Sequence, residues 1–76
     1  MKWQYTVNVR NKEENELAQR ILFSLGYRWK STGTELNHLD AKGIAAWNDM
    51  ELTYTNINSS DSISIEEFLD KLEEEL

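Results

Sequence analysis

The chain has 76 residues, a formal net charge of −6, eight aromatic side chains of Trp, Tyr and Phe, and neither cysteine nor proline. That length allows one domain with a thin margin of stability, since small domains bury only ~60% of their unfolded surface and this one has no disulfide to staple it. No apolar run approaches the ~20 residues that cross a bilayer, and no apolar segment follows Lys2 as in a signal peptide. The expectation is a cytoplasmic protein without membrane contact.

Charge is unevenly distributed. Residues 1–38 hold six Lys/Arg against four Glu, a balance of +2, and residues 39–76 hold two Lys against ten acids, a balance of −8. Such a field repels nucleic acid overall but leaves room for a local basic face.

In chain order, residues 3–9 alternate, with Trp3, Tyr5, Val7 and Val9 on one side and Gln4, Thr6 and Asn8 on the other. This is the pattern of a half-buried strand. Asn11 and Glu14 form a capping box, and Glu13, Glu14 and Glu16 suit the positive end of a helix. Leu17, Ala18, Ile21, Leu22 and Leu25 recur at helical spacing and predict the buried stripe, which Gly26 ends in a left-handed conformation. Phe23 lies nearly opposite Ile21 at ~100° per residue. It is expected outside the core that holds Leu22, either under another segment or as an exposed contact.

Residues 27–30 predict a second strand with Tyr27 and Trp29 on one face and Arg28 and Lys30 on the other. After a turn at residues 31–34, residues 35–39 are expected to return antiparallel. Residues 44–47 and 51–55 predict a hairpin around Asn48-Asp49-Met50, with Leu52 and Tyr54 on a shared face. Residues 56–62 form a polar loop, in which Asn58-Ser59-Ser60 reads as loop composition rather than a glycosylation acceptor. Ser64 and Glu67 make a second capping box with Ile63 and Phe68 as a staple. Ile65, Phe68, Leu69, Leu72 and Leu76 then give one apolar stripe on an acidic helix over residues 65–75.

The order strand–helix–strands–helix predicts a single α+β domain. Its mostly antiparallel sheet of four or five short strands would carry both amphipathic helices on one face. The other face would then show Gln4, Thr6, Asn8, Arg28 and Lys30 to water.

Little here supports catalysis. His38 is the single histidine, and a pairing with Asp40 is the sole base–carboxylate arrangement that the spacing suggests. A surface or half-buried histidine is the plainer reading. No zinc or calcium-loop spacing and no phosphate-binding glycine pattern is present. The expectation is a non-enzymatic protein without catalytic residues, metal or cofactor.

Binding surfaces remain. Asp61, Glu66, Glu67, Asp70, Glu73 and Glu74 can present carboxylates to a protein with a basic surface, with Phe23 and Trp47 as aromatic anchors. The ordinary alternative is that this acidic face is simply solvated. A different class of function is a small nucleic-acid-binding domain using Arg10, Arg28 and Lys30. Against it, alternation separates the Trp29 ring from its basic neighbours. A third is a homo-oligomeric small-ligand trap walled by Trp47 and Tyr54.

Finally, the strand at residues 3–9, the capped helix, the segment Leu22-Phe23-Ser24-Leu25-Gly26-Tyr27-Arg28-Trp29 and the late Ile65-Glu66-Glu67-Phe68-Leu69 together resemble small accessory proteins of tailed bacteriophages. In those, a helix runs into a Leu-Gly-Tyr-x-Trp strand and a Glu-Phe-Leu helix closes the chain. The resemblance covers most of the chain and is a folding signature without a reactive group, so it assigns no functional residue. What it implies is a phage-encoded protein in the host cytoplasm that blocks or redirects a host protein. Analogy of size and charge extends this to an inhibitor of a bacterial defence system.

Overall fold

A computed structural model describes residues 3–57 and 62–75. The elements follow as β1 (Trp3–Asn8), α1 (Lys12–Ser24), β2 (Arg28–Trp29), β3 (Gly43–Trp47), β4 (Glu51–Thr55) and α2 (Ile65–Glu75). The strands form one mixed sheet in the order β1-β3-β4-β2. The β1–β3 and β3–β4 pairs are antiparallel, whereas β2 lies parallel to β4. The domain is therefore α+β, with a four-stranded sheet and two helices.

Local chemistry explains where α1 begins and ends. Asn11 Oδ1 accepts the Glu14 N–H at 2.9 Å, as an N-cap side chain should. The Glu14 carboxylate reaches back one residue further than a standard box, to the Arg10 N–H at 2.9 Å. At the other end Gly26 has φ +104°, a conformation L side chains avoid, and the Tyr27 N–H turns back to the Leu22 carbonyl at 3.0 Å. Helix α2 opens on Ser64, whose Oγ accepts the Glu67 N–H at 3.1 Å. Just before it, Ile63 bridges the outer edge of β1, taking the Asn8 N–H on its carbonyl and donating its own N–H to Thr6.

Val7, Leu22, Trp29, Ile44, Leu52 and Phe68 are among the residues that bury together in one core, drawn from every strand and both helices. The face that α1 turns inward differs from the expected one. Asn15, Ala18, Gln19 and Leu22 are buried, while Leu17 and Leu25 are 43% and 44% exposed and Ile21 is half-buried. Relative to the leucine stripe the helix is rotated by roughly one residue, ~100°. The same rotation corrects the reading of Phe23, which is half-buried and packs against the core cluster that contains Leu22.

Four further expectations change. Residues 35–39 form no strand, because the main-chain groups of this segment bond to side chains of α1 instead of a neighbouring strand. Thr6 is buried and Asn8 half-buried, so the polar side of β1 is not an open face. A Cβ added at Gly43 would lie 3.2 Å from Thr6 Cγ2 and 2.7 Å from Thr55 Cγ2, which shows how closely these neighbours approach across the sheet. The register shifts between Trp3 and Tyr5, which breaks the alternation at the start of β1. Leu69 is exposed rather than part of the buried stripe of Ile65 and Phe68, and Leu76 lies outside the described residues.

Candidate functional site

Two amides explain why α1 can afford to leave leucines outside. Asn15 and Gln19 are fully buried. Asn15 Nδ2 donates to the His38 carbonyl at 3.0 Å and the Ala41 carbonyl at 3.1 Å. Gln19 Nε2 donates to Asn15 Oδ1 at 2.5 Å and to the Asn37 carbonyl at 2.6 Å. Gln19 Oε1 accepts the Trp29 indole N–H at 2.9 Å and the Asn37 N–H at 3.1 Å. Every amide proton of this pair has an acceptor, so the buried polarity is compensated. Two of the four buried positions of α1 thereby pin the chain between residues 37 and 41, while Ala18 and Leu22 enter the core. Leu17 and Leu25 mark the two ends of an outward ridge, and between them Ile21 is half-buried against the core.

The acidic side chains of α2 divide into two groups. Glu66 is engaged by Arg10 Nη2 at 2.6 Å, and the same nitrogen lies 2.6 Å from Glu14 Oε2. Hydrogen bonds from Arg10 hold the Glu14 carboxyl below its ordinary range. The Glu66 carboxyl is held down first by its own backbone N–H and then by Arg10. The two carboxylates in turn raise the guanidinium pKa, Glu14 contributing most. Glu67, Asp70 and Glu73 are exposed, and among the described residues none of them forms an ion pair. Asp61 lies outside the described residues, as does the side chain of Glu74.

The aromatic candidates sit elsewhere. Trp47 is half-buried at the end of β3 and its indole N–H donates to Thr53 Oγ1 at 2.8 Å. Phe23 packs at the core margin, as described above. Of the basic trio, Arg28 and Lys30 are exposed, but Arg10 is committed to two carboxylates. Trp29 is buried with its indole bonded to Gln19.

His38 pairs with no carboxylate in the way its spacing suggested. Residues 36–38 are not a strand, and Asp40 lies 3.9 Å from Lys12 instead. The imidazole stacks on the Tyr54 ring at 3.8 Å between centroids and meets Trp29 edge-on at 5.0 Å. His38 itself has φ +51°, an uncommon conformation for a residue with a Cβ, held by Asn15 on its carbonyl and Asn37 Oδ1 on its N–H. Beside the stack lies a cleft of about 390 Å³ lined by Trp29, Lys30, Ser31, His38, Leu52, Thr53 and Tyr54.

Composition alone concealed this arrangement. Its signal was Asn15, Ala18, Gln19 and Leu22 at helical spacing, with a tryptophan that needs an acceptor for its indole N–H. Among the described residues no group of three or more His, Cys, Asp or Glu could hold a metal ion, and no helix is long and apolar enough to cross a membrane. No family model, curated protein or solved structure matches this chain.

Proposed function

We propose that this chain is a non-enzymatic binding protein whose recognition surface is the outward side of α1 and α2, with both helices on one face of the sheet. The observation that carries the reading is the exposure of Leu17 and Leu25 on a helix that gives two of its four buried positions to amides. Exposed apolar stripes rimmed by charge mark interaction surfaces in small soluble domains. Glu13 and Glu16 flank the ridge on α1, and α2 adds Leu69 with Glu67, Asp70 and Glu73. Leucine anchors would supply affinity, and the carboxylates would speed encounter with a basic patch. The resemblance to phage accessory proteins supplies the context: a protein of the infected host, such as a defence effector, blocked or redirected by occupation of its surface.

The test is capture from bacteria expressing the tagged chain, followed by binding kinetics with the captured protein. Leu17→Ser with Leu25→Ser should leave thermal unfolding nearly unchanged and weaken capture at least about tenfold. Glu67→Lys with Asp70→Lys should slow association and remove its salt dependence. Wild-type capture by the double-serine variant would overturn the helix surface as the binding site.

A further inference from the structure

The parallel strand β2 covers only the first part of β4. Their register runs Arg28 opposite Glu51 and Trp29 opposite Leu52, and there it stops. After Trp29 the chain folds back on the outer side of β2, where Trp29 and Gly33 exchange N–H···O bonds at 2.8 and 2.9 Å. The Arg28 N–H donates to the Met50 carbonyl at 2.9 Å, so Met50 faces β2. Peptide groups along a strand face its two sides alternately, and Leu52 and Tyr54 therefore face the same side as Met50. Leu52 meets β2, but opposite Tyr54 no described strand follows.

The cleft lies at that vacancy. It is lined by Leu52, Thr53 and Tyr54 of β4, by Trp29 of β2 and by Lys30 and Ser31 of the turn that follows, so it reaches three consecutive residues of β4. A cavity with that lining wraps a sheet edge. His38, held at φ +51° by Asn15 and Asn37, closes one side by stacking on Tyr54. Residues held in uncommon backbone conformations by their surroundings cluster at ligand sites. Lys30 stands where the two strands part, exposed, and among the described residues without an ion pair.

We propose that this notch binds the extended C-terminal end of a peptide, which pairs with the edge of β4 at Tyr54 and sets its terminal carboxylate beside Lys30. An antiparallel peptide in line with β2 points its C-terminus at Lys30. Strand addition supplies main-chain hydrogen bonds, and the Lys30 ammonium selects a free carboxylate over its amide. The site uses β-strand residues and stands or falls independently of the helix surface proposed above.

The probe is a fluorescein-labelled hexapeptide of alternating valine and threonine with a free C-terminus, set against the same peptide as its C-terminal amide. Anisotropy should show the amide binding roughly tenfold more weakly, as should Lys30→Glu with the free acid. Amide exchange of the Tyr54 N–H should be fast in the free protein and slow with peptide bound. Three results would each overturn the proposal. They are equal binding of acid and amide, protection of the Tyr54 N–H without peptide, and protection that grows with protein concentration alone, which would indicate edge pairing between copies.

Discussion

Gln19 holds more of this fold than any exposed leucine does. Its amide serves the Trp29 indole, both main-chain groups of Asn37 and the side-chain oxygen of Asn15, all from a fully buried position. Replacing it with leucine keeps the approximate volume but strands those groups away from water. A buried donor or acceptor without a partner costs ~1–3 kcal/mol, and relaxation will return some of these to solvent. Gln19→Leu should therefore destabilise by roughly 2–3 kcal/mol in urea unfolding followed by tryptophan fluorescence. A domain of this size has roughly 4–11 kcal/mol in all, so the loss is large. Leu17→Ala, on the outward ridge, should change stability by no more than ~0.5 kcal/mol. The reverse ranking would mean that the leucine stripe, not the amide pair, faces the core.

At the scale of elements, what was legible in the chain was what short-range chemistry decides. Asn11, Ser64 and Gly26 mark helix boundaries through their own backbone bonds, and the predicted strand at residues 51–55 coincides with β4. What escaped was the rotation of α1 and the course of residues 34–42. Both depend on partners far along the chain: Asn15 and Gln19 reach residues 37–41, and no local period announces that two amides will be buried. The edge notch was illegible for the same reason, because it exists only where β2 ends against β4. The legible features make testable claims of their own. Gly26 has φ +104°, and an added Cβ would lie 3.0 Å from Met50 Cε, a flexible side-chain end that can shift. Backbone conformation then sets the cost, and Gly26→Ala should lose about 1–2 kcal/mol of unfolding free energy. A neutral result in the same urea assay would mean that the helix does not end in the left-handed region.

Across the whole molecule, the sequence halves carry opposite charge balances, and Arg10 joins them. From just before the N-cap of α1 it binds Glu14 in the first turn of that helix and Glu66 at the start of α2, 56 residues away. Both carboxyls have folded-state pKa values below the ordinary 4.5, whereas the unfolded chain restores that value. Lowered folded values mean that the unfolded state binds protons more readily as pH falls. The stabilisation is therefore complete above about 4.5 and is lost as pH drops through the folded values, while Arg10 stays charged throughout. Thermal unfolding of wild type and Arg10→Met between pH 7 and pH 3 isolates this contribution. The wild type should melt higher at neutral pH, with the gap narrowing below about pH 4.5 and closing in acid. Arg10 and Glu66 are exposed and Glu14 is half-buried, so the neutral-pH gap should also shrink in molar salt, through the Glu66 pair above all. A gap independent of both pH and salt would assign the role of Arg10 to the packing of its aliphatic stem, leaving the two helices joined by something other than charge.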